Sequence, residues 1–90
     1  MKIIWRIEAE RQLQSQIRYL RQRNPYAADR MIARIDERLE LLRDFPAVGS
    51  PSRRGGVREL LIRGTPYIAV YRFNDESVEI LRFFHVSQNR

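Results

Sequence analysis

The sequence contains no cysteine and a single histidine, so disulfides, thiolate metal sites and histidine-built metal centres are all excluded. It also lacks any apolar run near the ~20 residues that a membrane-spanning helix needs. Its N-terminus has no apolar segment of the kind that signal peptides carry. We therefore expect a protein without a cofactor or metal, located in the cytoplasm and making no membrane contact.

Lysine is almost absent as well. Lys2 is the only one, and the other basic residues of this chain of net charge +6 are arginines. The planar guanidinium binds phosphates and carboxylates alike, so the excess favours an acidic partner, either nucleic acid or an acidic protein segment. Charge alone leaves that choice open, and a solvated surface explains many single arginines equally well. At 90 residues we expect one domain, over residues 1–90.

Two amphipathic helices are predicted in the first half of the chain. The first, residues 8–23, has one apolar stripe at spacings of three and four: Ala9, Leu13, Ile17 and Leu20. Asn24 and Pro25 suit the cap and first position of a second helix, which runs to about residue 44. So short a connection predicts an antiparallel helical hairpin.

Strands are predicted on both sides of this hairpin, at residues 2–6, 57–63, 66–73 and 77–85. Residues 45–56 are rich in proline, glycine and serine and are predicted to form a loop. Turn residues separate the last three strands. The sequence thus predicts an α+β fold in the order β-α-α-β-β-β, an antiparallel sheet with the helical hairpin packed on one face.

The predicted strands are apolar on both sides, unlike those of a sheet with one solvated face. In the third strand the two alternating sets are Ile68 and Val70 against Tyr67, Ala69, Tyr71 and Phe73. In the last strand, regular alternation sets Val78, Ile80 and Phe84 against Leu81 and Phe83. A helical hairpin covers one side only, so the second apolar face is predicted to bind a protein partner. Alternatively, this face is covered by the loop 45–56 or by a second copy of the chain.

Arginines interrupt these apolar strands. If the last hairpin turns at Asp75–Glu76, Arg72 lies opposite Glu79 and forms a cross-strand ion pair. The same register places Arg82 opposite Ala69, with no acid across from it. His85 could act as a general acid, although a lone histidine at a strand end is more often structural.

Several segments together resemble the RelE/ParE superfamily of toxins from bacterial type II toxin–antitoxin systems. These are "FPAVGSP" after the second helix, "VREL", "YIAVYR" and "VEILRFFH", in the family's order over essentially the whole chain. The resemblance implies a cognate antitoxin, whose C-terminal and often acidic segment wraps the toxin. Operator DNA would be reached only indirectly, through that antitoxin.

The superfamily divides by target, and this chain is more similar to the ParE branch. The tail "ILRFFHVSQNR" resembles the ParE pattern, and Ile68 stands where the nucleases commonly have an arginine. The resemblance therefore implies a toxin that inhibits DNA gyrase by protein–protein contact rather than an enzyme. The alternatives are a RelE-like ribosome-dependent mRNA endoribonuclease, with ribosome and mRNA as partners, and a non-toxic basic nucleic-acid-binding module.

Two sets of site residues follow from the tail pattern and the two-sided sheet. The candidates for toxicity are Arg58, Arg82, His85 and Arg90. The candidates for antitoxin binding are Leu13, Ile17, Ile68 and Val70.

Overall fold

The computed structural model describes residues 1–87, in which two helices pack on one face of a five-stranded sheet. The elements are β1 (Lys2–Trp5), α1 (Ile7–Arg23), α2 (Pro25–Asp44), β2 (Ser50–Pro51), β3 (Arg58–Leu61), β4 (Tyr67–Phe73) and β5 (Ser77–His85). The strand order across the sheet is β1-β5-β4-β3-β2. The predicted α+β fold, with a helical hairpin on one sheet face, is confirmed.

Two details of the sheet differ from the prediction. β1 pairs with β5 in parallel, whereas β2 to β5 form antiparallel pairs. No tight turn connects β1 to its neighbour, so its direction is set by the path through both helices rather than by a hairpin. The short β2 lies inside the predicted loop 45–56 and pairs with the start of β3.

The two helices share Asn24 as their junction. The Asn24 backbone N–H bonds the Leu20 carbonyl at the end of α1, and its side-chain oxygen accepts the N–H of Ala27 at 3.1 Å at the start of α2. Pro25 occupies the first position of α2, where no helical N–H is needed. Within residues 1–87 neither helix is long and apolar enough to cross a membrane.

The core lies between the helices and the sheet. Its largest fully buried side chains are Tyr71, Phe83, Leu42, Ile62, Ile80 and Val78. From α1 it receives Ala9 and Leu13, which are 0% and 9% exposed, with Ile17 packed at its margin. Leu13 is therefore a core residue, joining helix to sheet.

A β-bulge in β5 overturns the predicted alternation of the last strand. As expected, Arg72 lies opposite Glu79, but the register then shifts by one residue between Tyr71 and Val70. Leu81 is the extra residue, so Arg82 lies opposite Val70 and not opposite Ala69 as predicted.

The same shift exchanges the two phenylalanines that follow the bulge. Phe83 joins Val78 and Ile80 in the core, and Phe84 lies opposite Ile68 on the other side of the sheet. Both assignments reverse the prediction from strict alternation, which assumed no inserted residue in the strand.

Candidate functional site

The sheet surface opposite the helices, here called the outer face, is apolar and flanked by charge. Strand pairing and alternation place the following residues on it: Glu59, Leu61, Ile68, Val70, Arg82 and Phe84. Leu61 is 52% exposed, and Ile68 and Val70 are half-buried. Phe84 is only 4% exposed, so the accessible part of this surface is formed by the other residues.

The loop after α2 forms one wall of a groove on the outer face rather than a lid over it. This outer groove has a volume of about 500 Å³, and its walls are Pro51, Ser52, Arg53, Arg54, Val57, Glu59, Val70, Arg82 and Phe84. Three arginines thus face one glutamate around an apolar floor. Such a groove suits an extended ligand that carries both negative charge and apolar groups.

Arg82 lies at the centre of this region. Its guanidinium carbon is 5.1 Å from the centre of the Phe84 ring, a cation–π contact. Besides the outer groove, Arg82 lines two neighbouring depressions of about 380 and 430 Å³, both shared with Gln12 of α1. Within residues 1–87, none of the ion pairs involves Arg82, which leaves its charge available to a partner.

The other end of the outer face is occupied by an ion-paired cluster. Glu79 accepts a hydrogen bond from Arg72 Nε at 2.8 Å and one from Arg6 Nη1 at 3.0 Å. These two bonds, from Arg6 first and Arg72 second, lower the pKa of the Glu79 carboxyl. The predicted Arg72–Glu79 pair is therefore present and gives Arg72 a structural role.

Arg58 lies on the helix side of the sheet, opposite Tyr71. Its guanidinium donates to the carbonyls of Ala47 at 3.2 Å and Gly49 at 2.8 Å, both in the loop after α2. The structure therefore separates Arg58 from Arg82 and places it against the start of the loop that walls the outer groove.

Tyr71 holds the same loop from the adjacent strand. Its hydroxyl donates to the Pro46 carbonyl at 2.7 Å and accepts the N–H of Gly49 at 2.9 Å. Burial raises the pKa of this hydroxyl, so it remains a hydrogen-bond donor at neutral pH. Arg58 and Tyr71 together fix the first part of the loop. The later part of the same loop contains Arg53 and Arg54.

His85 is the last residue of β5 and lies opposite Tyr67 on the helix side. The two rings meet edge to face with centres 5.4 Å apart. The backbone N–H of Ser87 donates to His85 Nδ1 at 3.0 Å, so the neutral ring carries its proton on Nε2. Arg90, the fourth toxicity candidate, lies outside the described residues.

The four antitoxin-binding candidates fall on two separate surfaces. Ile68 and Val70 are neighbours on the outer face, whereas Leu13 is in the core. Ile17 lines a crevice of about 120 Å³ between the helices, together with Trp5, Leu13, Ile32, Ile35, Asp36 and Leu39. The structure thus brings together one pair of candidates but not all four.

The sequence did not indicate two glutamines of α1 that contact the sheet near Arg82 and His85. Gln12 Oε1 accepts the backbone N–H of Phe83 at 2.7 Å, directly after the bulge, and Gln16 Oε1 accepts the Tyr67 hydroxyl at 3.2 Å. The only available signal was weak: two glutamines four residues apart beside the apolar stripe of α1, on the side of the helix that meets the sheet.

With this geometry established, similarity to known proteins identifies the family. Residues 3–90 match the family model described as "ParE toxin of type II toxin-antitoxin system, parDE". A relative from Sinorhizobium fredii (strain NBRC 101917 / NGR234), named "Putative toxin Y4kP", is 38% identical over 87 residues, covering 97% of this chain and 90% of that protein. The chain therefore belongs to the ParE toxin family of type II toxin–antitoxin systems, within the RelE/ParE superfamily.

Solved structures agree on the fold. A chain of the chromosomal ParDE toxin–antitoxin system from P. aeruginosa superposes with a TM-score of 0.80 at 25% identity, covering 94% of this chain and 95% of that one. A chain of the RelBE2 toxin–antitoxin complex from Mycobacterium tuberculosis gives 0.66 at 29% identity, covering 93% and 95%. The YoeB/ParE toxin from Agrobacterium tumefaciens gives 0.65 at 16% identity, covering 94% and 98%, a likeness of fold alone.

Proposed function

We propose that this toxin inhibits DNA gyrase by protein–protein contact, with the outer groove and Arg82 as the contact surface. The observation that carries the proposal is the composition of that groove. Among residues 1–87, its walls hold one group able to take up a proton, Glu59, and no imidazole or phenol, because His85 lies on the opposite face. RNA cleavage without a metal needs both a proton acceptor and a proton donor.

The comparisons support the ParE side of this choice. The family model that matches residues 3–90 is that of ParE. The ParDE chain superposes with the higher TM-score, 0.80 against 0.66, whereas the RelBE2 chain has the higher identity, 29% against 25%. Arginine is common at the energetic centres of protein interfaces, where its fork binds carboxylates and its plane lies on aromatic rings. Arg82 already makes the aromatic contact, with Phe84, and its guanidinium is in none of the ion pairs within residues 1–87, so a partner carboxylate could bind it.

A cognate antitoxin would hold this toxin inactive by covering the same face. The structural relatives are described as toxin–antitoxin systems or complexes, which supports such a partner here. An acidic segment with apolar side chains would satisfy the three arginines of the outer groove and cover Ile68 and Val70. Antitoxin and target would then compete for one surface.

Gyrase supercoiling in the presence of the purified chain tests the proposal. We expect inhibition that rises with toxin concentration and disappears when the cognate antitoxin is added in equal amounts. A translation extract programmed with a defined mRNA serves as the parallel arm. Intact mRNA with blocked supercoiling supports the proposal, and full supercoiling with cleaved mRNA overturns it.

A second candidate function is ribosome-dependent mRNA cleavage, which one observation favours. Glu59 shares the outer groove with Arg53, Arg54 and Arg82, so one carboxylate and three phosphate-binding side chains face a common space. A proton donor would then have to come from the ribosome or the RNA. In the translation arm, cleavage that is lost in Glu59→Gln would establish this function.

A further inference from the structure

The bulge at Leu81 decides on which face of the sheet Arg82 lies. Val78 and Ile80 are both 0% exposed on the helix side, so an uninterrupted strand would send Arg82 to that side too. It would then lie opposite Ala69, which is 1% exposed. A guanidinium there would be desolvated inside the core, which is costly without a paired acid.

Gln12 accepts a backbone hydrogen bond from β5 next to this bulge. The pairing of β1 with β5 ends at Ile80, so the residues of β5 beyond it have lost their parallel neighbour. Gln12 reaches the strand from α1, and its Oε1 accepts the N–H of Phe83 at 2.7 Å. A side chain of the first helix thus satisfies a backbone donor two residues after the inserted Leu81.

We propose that Gln12 is a positioning residue of the toxic surface: by bonding Phe83 it holds the bulge and so keeps Arg82 and Phe84 on the outer face. Bulges recur beside functional sites because one extra residue turns the following side chains to the other side. Gln12 also lines both of the depressions that flank Arg82, so it is placed to act on this arginine. The inference rests on the proposed role of Arg82 in toxicity, whichever the target.

Three variants of the full chain separate this role from a general effect on stability. Gln12→Met keeps side-chain length and helix propensity but removes the oxygen acceptor. Gln12→Glu keeps an acceptor at the same reach. Gln14→Met is the matched control, because Gln14 is an exposed glutamine on the same helix.

The first measurement is amide hydrogen exchange at Phe83, followed by NMR on the purified chain. In Gln12→Met we expect exchange about tenfold faster, as fits the loss of one hydrogen bond. Gln12→Glu should restore protection, and Gln14→Met should match wild type. Thermal midpoints measured alongside show whether any change is global.

The second measurement is growth arrest in cells at graded expression. We expect Gln12→Met to need about tenfold more toxin for the same arrest, in line with the loss of one hydrogen bond, and Gln14→Met to need no more than wild type. If Gln12→Met does not fold, Gln12→Asn replaces it, because its amide is one methylene too short to reach Phe83.

Unchanged exchange at Phe83 in Gln12→Met would overturn the inference, and so would faster exchange with undiminished growth arrest. Faster exchange at Phe83 that Gln12→Glu does not reverse would do the same. Growth arrest does not depend on which target is hit. A toxin that arrests growth without inhibiting gyrase would therefore contradict the proposed function and leave this inference standing.

Discussion

Arg82 and His85 leave β5 on opposite faces of the sheet, although only two residues separate them. Arg82 lies opposite Val70 on the outer face, and His85 lies opposite Tyr67 on the helix side. The tail pattern that suggested a joint role for them therefore spans two surfaces. A partner that touches both has to reach around the end of β5, as an extended polypeptide can.

Antitoxin binding is expected to respond to changes on the outer face rather than in the helices. Ile68→Asp places a carboxylate on the half-buried outer face, where it should repel an acidic segment and weaken antitoxin binding at least tenfold. Leu13→Ala should instead destabilise the fold by about 2–5 kcal/mol, as large-to-small core changes do, with near-normal affinity in the folded protein. Calorimetric titration with the antitoxin and thermal unfolding measure the two effects. Wild-type affinity in Ile68→Asp would contradict this assignment.

Two glycines of the loop after α2 provide a matched pair for testing how that loop is held. A Cβ at Gly49 would lie 2.6 Å from the Tyr71 hydroxyl and 2.8 Å from the Glu59 carbonyl, whereas a Cβ at Gly55 meets nothing within 4 Å. Gly49→Ala should therefore cost about 1–3 kcal/mol of unfolding free energy, as overpacking does. Gly55→Ala should stay within about 1 kcal/mol of wild type. Denaturant titration measures the free energy of unfolding of both variants. Equal values would show that Tyr71 does not fix the loop.

Stability is expected to depend on pH through Glu79. Its pKa is lowered in the folded state by Arg6 and Arg72, so the unfolded chain takes up a proton here at higher pH than the folded chain. The contribution of Glu79 is therefore present at neutral pH and lost as the pH falls through the lowered pKa. Wild type should exceed Glu79→Gln in unfolding free energy at pH 7, and the gap should shrink below about pH 4. A difference in unfolding free energy that does not change with pH would contradict the role of this ion-paired cluster.

The parts of the fold that depend on a few adjacent residues were predictable from the sequence. Asn24 and Pro25 mark the junction of the helices, and the turn at Asp75–Glu76 places Arg72 opposite Glu79. The parallel direction of β1 was not predictable from local pattern, because it depends on how the helices cross the sheet. The bulge was not predictable either, since Leu81 fits a regular strand as well as an inserted position.

The candidate site was predicted in part, and the bulge in β5 accounts for the wrong register around Arg82. The uncovered face with Ile68 and Val70 was expected from strand alternation, which holds in β4. Arg82 was predicted as a site residue, but its partner on β4 was predicted to be Ala69 and is Val70. The contact between Gln12 and Phe83 joins positions 71 residues apart in sequence, and no local pattern indicates such a pair.

If the toxin acts on gyrase through the outer face around Arg82, removing this guanidinium should weaken inhibition. The most direct test is a supercoiling assay that compares the wild-type chain with Arg82→Ala and with Arg30→Ala, a control at an exposed arginine of α2. We expect wild type and Arg30→Ala to inhibit equally, and Arg82→Ala to require at least tenfold more protein, as loss of an interface arginine does. Equal inhibition by Arg82→Ala would contradict this role of the outer face, and no inhibition by the wild-type chain would contradict gyrase as the target.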